Sequence, residues 1–227
     1  MTTTIAVLNQ KGGVGKSMVA QNLAACAHLR GKRTLLRDGD AQATSWQWYS
    51  TRAEGSPLRG LRVERAEDPK LWHVAKFREA AEGFDVVVCD GPPSLQGVTV
   101  RAAICADVVV IPLRPAHADV WAAVQTKRLL DEADELREQV GLPPVVRRMV
   151  LNEVRPRVRE TAEVLAALEP LGIVLLDRHL AHRVAYDRAR GEGEAVVSFG
   201  DDAAARAEVE ALYDAIVGEA LGMRGAA

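Results

Sequence analysis

Two lysines, a hydroxyl and three glycines are concentrated in Lys11-Gly12-Gly13-Val14-Gly15-Lys16-Ser17, and that combination suits one task, holding the phosphates of a nucleotide. Glycines let backbone N–H groups turn inward onto phosphate oxygens, and a helix opening near Ser17 adds the partial positive charge of its N-terminus. Lys16 is expected on the β- and γ-phosphates and the Ser17 hydroxyl on a magnesium ion. Three carboxylates can complete such a site. Asp38 and Asp40 end the stretch Leu35-Leu36-Arg37-Asp38-Gly39-Asp40-Ala41-Gln42, two residues apart, so both can project from a strand's end. Asp90 ends the apolar run from Phe84 to Cys89 and precedes Gly91-Pro92-Pro93, an arrangement that suits magnesium held through a water. Asp-Gly-Asp and Asp-Gly are also ordinary turn chemistry, so the two carboxylate motifs gain their meaning from the loop upstream.

These residues need elements to position them. Short apolar runs, Thr4 to Leu8, Thr34 to Leu36, Phe84 to Cys89, Val108 to Leu113, Val145 to Leu151 and Ile173 to Leu176, read as strands, most of them buried on both faces. Between them lie segments of helical period such as Ser17 to Arg30, Pro69 to Glu82 and Asp119 to Val140, each followed by a glycine. This alternation predicts an α/β fold, a mostly parallel twisted sheet with helices on both faces and ligands at the carboxyl ends of the strands. Arg52 to Pro69 reads as a charged surface loop with one short strand, and about Ala203 to Leu221 as a last helix lying over the sheet. At 227 residues the chain is expected to form a single domain, 1–227.

Composition narrows the function classes. The chain is 48% hydrophobic and 26% charged with a net charge of -2, so no global positive field draws it to nucleic acid or anionic lipid. Cys26, Cys89 and Cys105 lie far apart in apolar or helical stretches without a CxxC pair, which disfavours an iron-sulfur carrier. No run approaches the ~18 apolar residues of a membrane span, and a cytoplasmic location is expected.

Lys11, a second lysine at the start of the loop, separates the motif from its ordinary form. With the carboxylate motifs, it makes the chain resemble the deviant Walker A ATPases of the ParA and MinD group, most closely the small ParA partition ATPases without an N-terminal DNA-binding extension. The resemblance covers essentially the whole chain. It implies the P-loop NTPase fold, ATP and Mg2+ as cofactors, and hydrolysis of ATP. It also implies a homodimer that encloses ATP, in which Lys11 reaches the partner's nucleotide, so that Lys11, Lys16 and Asp40 are the candidate catalytic groups. Asp40 matches the carboxylate that activates the attacking water. Asp38 and Asp90, with Ser17, match the magnesium site. Gly91 to Ser94 match a switch loop sensing the γ-phosphate. Asn152, which ends Val150-Leu151-Asn152, matches an asparagine often placed on the adenine, although it suits a simple turn equally well. Asn-Lys-x-Asp, the guanine signature, is absent, so ATP is preferred. Three departures stand out: Arg37 replaces the usual apolar residue, Ala41 a proline, and Met18 a threonine. Met18 follows Ser17 in the helix's first turn, so its effect on nucleotide affinity is expected to be modest.

Basic residues cluster at Arg147 to Arg159 and at Arg178 to Arg190. The resemblance implies non-specific DNA binding through such a surface, doubled in a dimer, with Arg183 and Arg188 as candidate phosphate contacts. Interspersed Asp177, Asp187, Glu192 and Glu194 suit a solvated, ion-paired face as well. The implied function is a nucleoid-associated positioning ATPase, stimulated by a centromere-binding or cargo adaptor protein and segregating plasmid or chromosome DNA. Alternatives are the positioning of a protein cluster by the same cycle, a MinD-like membrane-cycling ATPase, and an ATP-dependent ligase of similar fold. Membrane cycling needs a basic amphipathic C-terminal helix, yet Ala220 to Ala227 carry only Arg224. A ligase would not need Lys11.

Overall fold

The computed structural model of the protein describes residues 2–92, 97–155 and 160–224. Among these residues seven strands form one sheet: β1 (Thr3–Val7), β2 (Thr34–Asp38), β3 (Arg62–Arg65), β4 (Val86–Asp90), β5 (Val108–Leu113), β6 (Val146–Val154) and β7 (Val174–Ala181). All neighbours are parallel, in the order β3-β2-β4-β1-β5-β6-β7. The α/β expectation and the P-loop arrangement are met. Every residue of β1, β2, β4 and β5 is buried, the pattern of strands covered on both faces. Alternation assigns their side chains to two cores. Ile5, Val7, Leu36 and Val88 join one beneath α1 (Lys16–Leu29) and α9 (Ala203–Arg224). Ala6, Leu8, Leu35 and Cys89 join the other beneath α4 (Val98–Cys105) and α5 (His117–Gln139). As the helix between loop and sheet, α1 is buried nearly all round.

Two of the differences from the sequence expectation have a visible cause. Pro69 to Glu82 is not one helix: a 3-10 turn over Pro69–Trp72 gives way at extended His73 (ψ 137°) to α3 (Val74–Ala81). Fully buried Trp72 anchors that break, its indole N–H donating to the Ala66 carbonyl at 2.5 Å. On the far edge, β7 runs five residues past Leu176, because Asp177, Arg178 and His179 are exposed on an edge strand and give no apolar signal.

Arg37, the charged departure inside β2, is buried and turned toward the α3 side. Its guanidinium carbon lies 5.0 Å from the ring centres of both Trp72 and Phe77, and its Nε 2.6 Å from Glu64 on the paired strand β3. Asp38, one residue on, points to the opposite face, so the substitution at 37 leaves the carboxylate alone. We expect Arg37→Met to cost less than ~1.5 kcal/mol, because the aromatic slot accepts an apolar chain of similar length. Glu64→Leu should cost ~2 kcal/mol by leaving the buried guanidinium without its counter-charge. Urea unfolding midpoints distinguish the two. A larger loss for Arg37→Met would show that the ion pair, rather than packing, holds this corner.

Candidate active site

The chain enters the sheet at β1, which lies between β4 and β5, and strands are added on either side of it. The crevice above the carboxyl ends of β1, β2 and β4 is therefore the place for a ligand. Asp38 and Asp90 are register partners there, and Asp90 also pairs with Val7. Loop and carboxylates thus meet at one level because three strands end together.

Asn9, which was not singled out in the sequence, pins the loop's start. Its Nδ2 donates to the Pro112 carbonyl at 2.8 Å and its Oδ1 accepts the Lys11 N–H at 2.9 Å. Gly13 (φ +73°) and Gly15 (φ +91°) supply the left-handed turns that bring the chain into α1. A Cβ at Gly15 would also collide with the Asn152 amide. Lys16 opens α1, is buried, and donates from Nζ to the Lys11 carbonyl at 3.0 Å. Burial holds its pKa below the ordinary lysine value, against the attraction of Asp90 and Asp40. Ser17 and Met18 follow in the first turn of α1, where the helix leaves its N–H groups without intrahelical acceptors.

Asp38 is buried and accepts the Trp46 N–H at 2.9 Å and the Asp40 N–H at 3.1 Å. Burial raises its pKa, and the backbone donors oppose the shift. Asp90 is fully buried, and burial, followed by the charge of Asp38, pushes its pKa up to about 7. The Ser45 hydroxyl donates to Asp90 Oδ2 at 2.7 Å, and Gln21 Nε2 donates to Ser45 at 3.2 Å. Ser45 lies on α2 (Thr44–Thr51), a helix entered through Ala43 at φ +52°; no sequence motif marks it. Asp40, half-buried in the turn between β2 and α2, accepts the Gln42 N–H at 2.9 Å. Of the expected switch loop, Gly91 and Pro92 are buried, and 93–94 lie outside the described residues.

Beyond the loop, Asn152 at the end of β6 donates to the Val14 carbonyl at 2.9 Å. It faces a pocket of about 220 Å³ whose wall includes Gly13, Gly15, Met18 and Tyr186. Glu153 at φ +54° and a register break against β7 turn the strand there. Arg183 also borders this pocket, its Nε and a terminal nitrogen on Glu208 Oε1 at 3.0 and 2.7 Å and the other terminal nitrogen 3.6 Å from Asp202. Arg188 lies exposed on α7 (Val184–Gly191). Of the other basic cluster, Arg147 is paired with Asp131 and Asp134, Arg155 is exposed, and Arg157 and Arg159 lie outside the described residues. Lys11 extends the other way, to Asp119 in the first turn of α5, with Nζ 2.6 Å from Oδ2.

Among the described residues, two buried oxygens of this site have no hydrogen-bond partner, Asp90 Oδ1 and Asn152 Oδ1. Unpaired buried acceptors are costly, and each fits a missing donor: a metal-bound water at Asp90 and an amino group of a base at Asn152. Residues 5–196 match the family model of the CobQ/CobB/MinD/ParA nucleotide binding domain. The chain belongs to this family. Among its relatives, the maintenance of carboxysome distribution protein A of Halothiobacillus neapolitanus is 30% identical over 203 residues, covering 87% of this chain and 88% of that one. The chromosome-partitioning ATPase Soj of Thermus thermophilus is 37% identical over 172 residues, covering 63% and 65%. The structure of apo McdA from Cyanothece superposes with a TM-score of 0.76 over 97% of this chain and 100% of that one, at 15% identity, a likeness of fold. A cradle of this kind in this family takes ATP with Mg2+.

Proposed function

We propose that the protein is an ATP-driven positioning switch: two copies close around ATP, the closed pair holds non-specific DNA, and hydrolysis stimulated by an adaptor protein opens it. The placement of Lys11 carries this reading. Asp38 and Asp90 stand on β2 and β4, on one side of β1, whereas Lys11 reaches Asp119 on the β5 side. A lysine turned from its own loop's carboxylates adds little to its own phosphate site, but its side chain is 27% exposed and open to a second copy.

In the closed pair, the loop amides and Lys16 hold the β- and γ-phosphates, while Ser17, Asp38 and Asp90 take Mg2+ and its waters. The bound ion neutralises charge between the phosphates. Asp40 orients the attacking water and accepts its proton, and Lys11 of the second copy stabilises the charge on the transferring phosphoryl group. Asn152 and Met18 border the base. Arg188 and Arg155, both exposed, are the stronger candidates for DNA phosphates, since Arg183 is engaged by two carboxylates.

A protein assembly as cargo is supported by relatives named for carboxysome distribution that match about nine-tenths of the chain, in Halothiobacillus neapolitanus and Gloeobacter kilaueensis. Segregation of plasmid or chromosome DNA is the second reading, favoured by the higher identity to Soj. Among the described residues no helix is long and apolar enough to cross a membrane. We place the cycle in the cytoplasm on nucleoid DNA. Co-sedimentation with non-specific DNA and with anionic liposomes, in ATP and in ADP, tests the switch. DNA should pellet the protein in ATP but not in ADP, the retention should fall steeply with salt, and Lys11→Ala should abolish it. Nucleotide-independent pelleting with DNA, or ATP-dependent pelleting with liposomes, would refute it.

A further inference from the structure

Asp119 is completely buried, and both its oxygens face cations. Oδ2 accepts Lys11 Nζ at 2.6 Å. Oδ1 faces Arg114, whose backbone N–H lies at 3.4 Å and whose Nε lies at 3.9 Å. That Nε is itself buried and makes no hydrogen bond among the described residues. One cation is therefore seated on the carboxylate, and a second donor stops about 1 Å short of hydrogen-bond distance. Lys11 is tied at its other end as well, because its carbonyl accepts Lys16 Nζ at 3.0 Å.

We propose that Asp119 is a positioning residue that stores Lys11 in cis, and that Arg114 replaces Lys11 on Asp119 when the lysine leaves for the second copy's nucleotide. The inference rests on the trans role of Lys11 given above. A buried carboxylate that loses its cation is strongly destabilised, so without a replacement Lys11 would stay where it is. Arg114 supplies the replacement by a small shift and leaves Asp119 paired in both states. Lys16 must quit the Lys11 carbonyl to hold a phosphate, which frees the peptide that carries Lys11. Occupancy of the loop and release of the stored lysine are thereby joined through one backbone group.

The two partners of Asp119 then affect dimerisation with opposite signs. Sedimentation equilibrium with Mg2+ and a non-hydrolysable ATP analogue should show Asp119→Asn dimerising about tenfold more tightly than wild type, because the cis acceptor loses its charge. Arg114→Ala should dimerise about threefold more weakly, because Lys11 then has no substitute. In a Lys11→Ala background, Asp119→Asn should change nothing, and binding of a fluorescent ADP to the monomer should be the same in Asp119→Asn and Arg114→Ala as in wild type. An Asp119→Asn dimer equal to or weaker than wild type would overturn the proposal, as would an undiminished effect in the Lys11→Ala background. If Asp119→Asn does not fold, Arg114→Ala decides: a weaker dimer supports storage, and an unchanged or tighter one refutes it. A Lys11→Ala protein that dimerises and turns over like wild type would overturn the trans role itself. An impaired Lys11→Ala protein whose parent is indifferent to Asp119→Asn would sink storage alone.

Discussion

Lys16→Ala should lower ATP turnover by about 10³-fold, the loss typical of removing a preorganised charge from a site where negative charge develops. The effect is expected to be large because the ammonium is buried, with Asp90 and Asp40 as the charges that act on it. Water cannot replace it in so enclosed a position, and the N–H groups of the loop carry no full charge. Single-turnover assays with excess enzyme separate the loss of chemistry from loss of binding. Turnover within tenfold of wild type would remove Lys16 from its assigned role.

Asp90→Asn should abolish turnover yet stabilise the nucleotide-free protein above neutral pH. The carboxyl's folded pKa is about 7 and its ordinary value 3.8, so in this range the folded state binds more protons than the unfolded one. Stability of the wild type must then fall as pH rises from about 4 to about 7 and level off above, the reverse of an ordinary salt-bridged carboxylate. The full separation corresponds to a ceiling of about 4 kcal/mol, and relaxation around the site should leave roughly 2 kcal/mol. Asn keeps the shape and can still accept from Ser45, but it never ionises beside Asp38. Thermal melts of both proteins between pH 5 and 8.5, without nucleotide, read the effect: the wild-type slope should be negative and the Asn variant's nearly flat. Equal slopes would show that Asp90 does not carry the charge penalty. The fold retains this costly group because function requires an anion where burial disfavours one.

Much of this was legible in the chain before folding was considered. Lys16, Ser17 and the loop glycines announce themselves because phosphate binding constrains residue type and spacing within seven consecutive positions. Asp38 and Asp90 were legible as strand ends because each follows an apolar run. Other members of the site carry no such signal. Ser45 reaches Asp90 across 45 residues and stands in a helix of unremarkable composition, and Asn9 pins the loop to β5 through a carbonyl that any residue could offer. The β7 boundary was hidden because an edge strand can carry a run of exposed polar residues, here Asp177, Arg178 and His179, and the break after Trp72 because it depends on where that indole packs.

Local residue chemistry thus determined that the chain has a phosphate loop opening a helix, carboxylates at strand ends and a parallel α/β core, since each is a pattern of a few neighbouring side chains. Only the tertiary structure decided how the charges are shared. It set Asp38 and Asp90 in register at a depth where burial raises the pKa of both and the charge of Asp38 raises that of Asp90 further, it placed Arg37 between two rings on the opposite face, and it drew Lys11 108 residues along the chain to Asp119. Those outcomes depend on strand order, and strand order places side by side residues whose separation along the chain carries no trace of the contact.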